Sequence, residues 1–105
     1  MPTPVIRLMR NEVMLERYVE QRLRQQVEKA GGLCLKFVSP GYAGVPDRIC
    51  LFPGGRIAFV ELKAPGKKPR PLQVARHKKL RSLGFPVYVI DDPGQIPDMI
   101  GGMKC

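Results

Sequence analysis

Tryptophan is absent from this 105-residue chain, histidine occurs once, and only 7% of the residues are aromatic. Stacking on extruded bases is therefore not suggested as a mode of recognition. Cysteine is scarce too. Cys34, Cys50 and Cys105 are odd in number and form no C-x-x-C pair, which argues against both a disulfide framework and a zinc site. Cys34 and Cys50 read instead as small core residues in a reducing cytoplasm. No helix-turn-helix or zinc-finger pattern is present, so sequence-specific readout of DNA is unsupported. The N-terminus lacks the apolar run of a signal peptide, and no segment approaches the length of a membrane span.

Acidic residues are the most telling shortage. Nine Asp and Glu stand against eighteen Lys and Arg, giving a net charge of +9 and a pI near 10.0. Such an imbalance points to a polyanionic partner, nucleic acid first and an anionic membrane surface second. Simple solubility is the blander explanation, but the basic residues also cluster. Hydrophobic content of 44% and charged content of 26% are those of an ordinary globular protein. The length predicts one domain spanning 1–105, with a core of about 11–91 and loose termini at 1–10 and 93–105.

Periodicity orders the elements. Leu15, Val19, Leu23, Val27 and Ala30 recur at spacings of four and three, which predicts a helix over 11–30, capped by Asn11 and ended by Gly31-Gly32. Alternation at 33–38 predicts a strand. Two further strands, 47–52 and 56–63, flank Pro53-Gly54-Gly55, a hairpin signal. Pro71 opens a second helix running to about Leu83, and 87–90 is a last short strand. The order is helix, three strands, helix, strand.

The hairpin carries two of the scarce carboxylates. If its loop is the three residues Pro53-Gly54-Gly55, cross-strand pairing sets Leu51 against Ile57, Ile49 against Phe59 and Asp47 against Glu61. A two-residue loop would send Asp47 to the other face, and matching apolar pairs favours the first register. Opposed pairs lie about 4.5–5.5 Å apart at Cβ. Carboxylates that close repel unless a proton or cation sits between them. Mg²⁺, which uses one or two carboxylates plus water and substrate phosphate, suits the pair, and Lys63 on the same face can polarise an attacking water. A salt bridge at a strand end is the alternative.

Pro46-Asp47, thirteen intervening residues and then Glu61-Leu62-Lys63 resemble the PD-(D/E)xK nuclease superfamily. The longer string GVPDRI…GGRIAFVELKAPGKKPRPLQ…LGFPVYVI is similar to its VRR-NUC family, in the stand-alone form of phages and bacteria, over roughly residues 16 to 91. The resemblance implies an α/β fold of order αβββαβ, a central mixed sheet flanked by helices. It also implies a Mg²⁺-dependent (or Mn²⁺-dependent) endodeoxyribonuclease acting on branched DNA, in a bacterial cell or phage-infected host. Asp47 and Glu61 become metal ligands and Lys63 the catalytic lysine. Glu20 is the match for an acidic residue on the first helix that completes the metal site. From the residues alone, Glu20 could equally pair with Arg24 at the surface. Gln73 matches a recurring glutamine that positions substrate or a ligand, with helix capping or a surface amide as the alternative. Similarity to resolvases of the superfamily implies a homodimer acting on four-way junctions, for which Ile96, Met99 and Ile100 of the tail are candidate pairing residues.

From Lys63 to Arg81 the chain holds eight of its eighteen positive charges and no acidic residue. Lys67, Lys68, Arg70, Arg76, Lys78 and Lys79, with Lys36 from the first strand, are the candidate DNA contacts. His77 is expected at the surface. The competing readings are a non-catalytic basic DNA-binding module, a monomeric flap or nick nuclease, and a small RNA-binding protein.

Overall fold

The computed structural model describes the backbone of residues 4–104 and the side chains of residues 15–104. Helix α1 (Pro4–Lys29) is 26 residues long. It begins well before Asn11, so residues 4–10 are helical and not a loose lead-in, with Pro4 at a position where proline's missing N–H costs nothing. Asn11 lies inside the helix, and its side chain falls outside the described ones. The predicted stripe holds. Val19, Leu23 and Val27 are buried, whereas Leu15 remains 46% exposed.

α1 stops at Gly31 (φ +87°), and Gly32 then lets the chain pass against the sheet, because a Cβ there would meet the Leu51 carbonyl at 2.3 Å. Strands β1 (Leu33–Lys36), β2 (Arg48–Phe52) and β3 (Arg56–Leu62) follow. α2 (Pro71–Ser82) then leads to β4 (Val87–Ile90). The sheet order is β1-β2-β3-β4, antiparallel except for the parallel β3–β4 pair. Register matches the three-residue loop: Leu51 pairs with Ile57 and Ile49 with Phe59. Both loop glycines, Gly54 and Gly55, have positive φ.

That register sorts the strands into two faces. Cys34, Cys50, Phe52, Ala58, Val60, Leu62 and Ile90 point to one side and form the core with Val19, Leu23 and Val27 of α1. Cys34 and Cys50 are free, buried and cross-strand neighbours, as small core residues should be. The other face carries Leu33, Leu35, Ile49, Leu51, Ile57, Phe59 and Glu61. Phe59 stacks there between Phe37 and Phe85, at 5.5 and 5.9 Å between ring centroids.

The tail differs from expectation. After a 3-10 turn at Pro93–Gln95, α3 (Ile96–Met103) buries Ile96, Met99, Ile100 and Met103 in the same core. These four sit at i, i+3, i+4 and i+7, one stripe of a helix. Residues 93–103 are thus a packed element, and Ile96, Met99 and Ile100 are not free to form a pairing surface. Among the described residues no helix is long and apolar enough to cross a membrane.

Candidate active site

Asp47 ends the loop before β2, and Glu61 lies next to last in β3, so the hairpin brings them together at one end of the sheet. The Asp47 side chain is fixed by the backbone: Leu62 N–H donates to its Oδ2 at 3.0 Å, and its own carbonyl accepts from Phe37 N–H at 2.8 Å. Glu61 is only 1% exposed. Lys63 Nζ stands 3.6 Å from Glu61 Oε2, with its side chain 18% exposed at the mouth of the site.

Such burial is costly for a carboxylate. It pushes the Glu61 carboxyl up to about 8; a hydrogen bond to Asp47 and the charge of Asp47 act in the same direction, while Lys63 opposes them. Without a cation, burial beside Asp47 favours the protonated form of Glu61.

α2 covers Glu61 from above the sheet. Gln73, in its first turn, is buried and uses both ends of its amide: Oε1 accepts from Arg70 N–H at 2.9 Å, and Nε2 donates to Glu61 Oε2 at 3.4 Å. Gln73 thus caps α2 and touches Glu61, and it is buried and not a surface amide. His77, one turn on, is not at the surface but 2% exposed, with Nε2 3.6 Å from Glu61 Oε1. Burial lowers its pKa, and the charges of Arg81 and Lys63 lower it further. Its polarity suggested exposure; only its place four residues after Gln73, on the same helical stripe, signals otherwise.

Asp47, Glu61, Lys63 and Gln73 line one open cavity of about 470 Å³, together with Lys67, Lys68 and Arg70. A solved structure described as a VRR_NUC domain matches the fold with a TM-score of 0.79 at 32% identity, covering 86% of this chain and 98% of its own. The sequence is also 52% identical over 73 residues to "Putative nuclease p44" of Acyrthosiphon pisum secondary endosymbiont phage 1, a match spanning 70% of this chain and 78% of that one. The chain belongs to the VRR-NUC family. No family model matches the sequence.

The acidic residue that α1 of this VRR-NUC domain brings to the cavity is Glu16, not Glu20. Glu20 is ion-paired with Arg48, the residue after Asp47. It lines a second, smaller cavity of about 300 Å³ beside Asp47, which Glu16 and Lys36 also share. Helical phase could not separate the two glutamates, which lie four residues apart on one flank of α1. The tertiary position of the helix does so: Arg48 projects toward the turn holding Glu20 and takes its charge.

The expected DNA contacts divide as well. Lys67, Lys68 and Arg70 stand on the cavity wall, and Lys78 and Lys79 are exposed on α2. Arg76 is engaged within the protein. Its Nε donates to the Ala43 carbonyl at 2.8 Å, and its guanidinium lies 3.9 Å from the Tyr42 ring centroid. That cation–π contact clamps the 39–44 loop to α2.

The fit to a hard cation is good. Glu61 Oε1 is buried without a hydrogen-bond partner, and the Glu61 carboxyl lies beside that of Asp47. Among the described residues no three His, Cys, Asp or Glu side chains could hold an ion by themselves. Two carboxylates with water and substrate oxygens is the pattern Mg²⁺ commonly accepts.

Proposed function

We propose that this chain is a divalent-metal-dependent endodeoxyribonuclease that hydrolyses phosphodiester bonds in branched DNA, four-way junctions above all, as a homodimer. The observation that carries the nuclease reading is the convergence of Asp47, a buried Glu61 and Lys63 on one cavity that Lys67, Lys68 and Arg70 also line.

Asp47 and Glu61 would hold Mg²⁺ or Mn²⁺, and Glu16, which lines the same cavity from α1, would contact the ion's waters. When bound, the ion supplies Lewis acidity to the scissile phosphate and stabilises the leaving oxygen. Lys63 orients the attacking water and favours its hydroxide form through the positive charge of Nζ. The water gives up one proton to solvent and its oxygen bonds to phosphorus, the bond to one ester oxygen breaks, and that oxygen leaves with a proton from solvent. Gln73 keeps Glu61 turned toward the cavity. Lys67, Lys68 and Arg70 bind the flanking phosphates, and each contact made releases counterions and steepens salt dependence.

Dimerisation rests on a count of sites. One chain holds one carboxylate pair, so cutting two strands of a junction calls for two chains, and two-fold pairing is the commonest symmetry. The apolar surface left for it is the sheet face opposite α1, where Leu33 and Leu35 are 54% and 45% exposed beside Leu51 and Ile57.

Purified protein incubated with linear, flapped and four-way DNA, in Mg²⁺, Mn²⁺, Ca²⁺ or EDTA, tests the proposal. Junction cleavage in Mg²⁺ and Mn²⁺ alone is expected. Binding without cleavage in every metal would leave the non-catalytic DNA-binding module as the better description.

A further inference from the structure

α2 has an inward face unlike that of an ordinary amphipathic helix: its two buried residues, Gln73 and His77, are both polar. They lie one turn apart on the same stripe, and both face Glu61. Gln73 has a partner for each end of its amide. His77 Nε2 has none, and neither does Glu61 Oε1; both atoms are buried, and they face each other at 3.6 Å. An unmade buried donor or acceptor is destabilising, a penalty an apolar residue at position 77 would avoid. Hydrogen bonds at catalytic centres are often long until the site is loaded. An imidazole with its proton on Nε2 has a donor for Glu61 Oε1, and its other nitrogen can accept.

We infer that His77 is a positioning residue: its Nε2–H donates to Glu61 Oε1 and, together with Gln73 on Oε2, fixes the carboxylate that faces the cation. The inference rests on Asp47 and Glu61 being the cation's ligands, as proposed above. A carboxylate has about four lone-pair directions, so one donor on each oxygen leaves room for an ion. Partners of this kind orient metal ligands, and their loss typically lowers metal affinity or activity 10–100-fold.

Because the chain has a single histidine, two measurements on tag-free protein decide the matter. Long-range ¹H–¹⁵N NMR reads the ring's tautomer directly. The Nε2–H form is expected, with its nitrogen shifts moving when Mg²⁺ is added; the Nδ1–H form overturns the inference. Mn²⁺ binding, followed without DNA by EPR of the free ion, is then compared among wild type, His77→Leu and His77→Gln. The leucine variant should bind about 10–100-fold more weakly, and the glutamine variant, which keeps a donor near Nε2, should stay within about threefold of wild type. Melting in EDTA reports whether each variant folds, and the tautomer in wild type stands whatever a variant does. Wild-type affinity in His77→Leu, or equal losses in both variants, would show that His77 only fills space. Wild-type protein that binds no Mn²⁺ overturns the cation reading and this inference together.

Discussion

Replacing Glu61 by glutamine should make the metal-free protein more stable at alkaline pH. Glu61 is almost wholly buried, and its carboxyl is raised from the ordinary 4.5 to about 8. The folded state therefore holds a proton that the unfolded chain releases between those two values. Stability from this proton is full below about pH 4.5, declines as the pH rises, and is gone above about 8. At 1.36 kcal/mol per pH unit the swing is on the order of 5 kcal/mol. A domain of this size loses about 4 °C of melting temperature per kcal/mol, so the drop should be on the order of 20 °C.

Melting wild type and Glu61→Gln in EDTA from pH 4.5 to 9 isolates the effect, because every other titrating group is common to both. Glutamine keeps the shape of the protonated carboxyl and a donor toward Asp47, and it cannot ionise. The two curves should coincide near pH 4.5 and separate steadily, with the variant the more stable at pH 8 to 9. Adding Mg²⁺ at pH 8 should close the gap by raising wild type alone, since a cation neutralises the exposed cost of the ionised pair. Curves that run parallel from pH 4.5 to 9 would refute the reasoning, because Glu61 would then titrate as an ordinary carboxylate. Equal stabilisation of both proteins by Mg²⁺ would place the ion elsewhere.

Four further outcomes are expected. Asp47→Ala and Lys63→Ala should each abolish cleavage while leaving DNA affinity within a few-fold in a gel-shift assay, as Lys67, Lys68 and Arg70 supply the phosphate contacts; normal turnover by either variant would remove that residue from the mechanism. Glu16→Gln should reduce kcat at limiting Mg²⁺ by tenfold or more and Glu20→Gln by much less, and the reverse order in a Mg²⁺ titration would return the first-helix ligand to Glu20. Met99→Ala should cost about 2–5 kcal/mol in urea unfolding, the usual penalty for emptying a core site, whereas a cost under about 0.5 kcal/mol would mean that α3 is not part of the core. Light scattering at micromolar concentration should give twice the chain mass for wild type and the single mass for Leu33→Asp combined with Leu35→Asp; a wild-type monomer that stays monomeric on junction DNA would favour a flap or nick nuclease.

Much of this site was legible in the hairpin, and for a physical reason. Only the three-residue loop sets Leu51 against Ile57 and Ile49 against Phe59, so apolar matching fixes the register and, with it, the meeting of Asp47 and Glu61. Information of that kind is local and complete within twenty residues. The first helix offers no such constraint. Its stripe fixes which side faces the sheet, but which turn lies over the hairpin's end depends on how the Gly31-Gly32 turn and β1 carry the chain across, and Glu16 and Glu20 differ by one turn, about 5.4 Å. The tail was hidden by its composition: Pro97, Gly101 and Gly102 are poor helix formers, and burial of Ile96, Met99, Ile100 and Met103 outweighs their propensity.

His77 departs from expectation for a different reason. Polar residues are placed at the surface by default because burying them without partners is unfavourable, yet a site that must bury a carboxylate needs polar groups around it. The apolar pattern of α2 is poor because its inward stripe, Gln73 and His77, is matched to Glu61 and not to the core. A helix set over a buried acid should therefore be recognised by the polar residues it cannot afford to expose, and in this chain those lie four apart, directly above the carboxylate they serve.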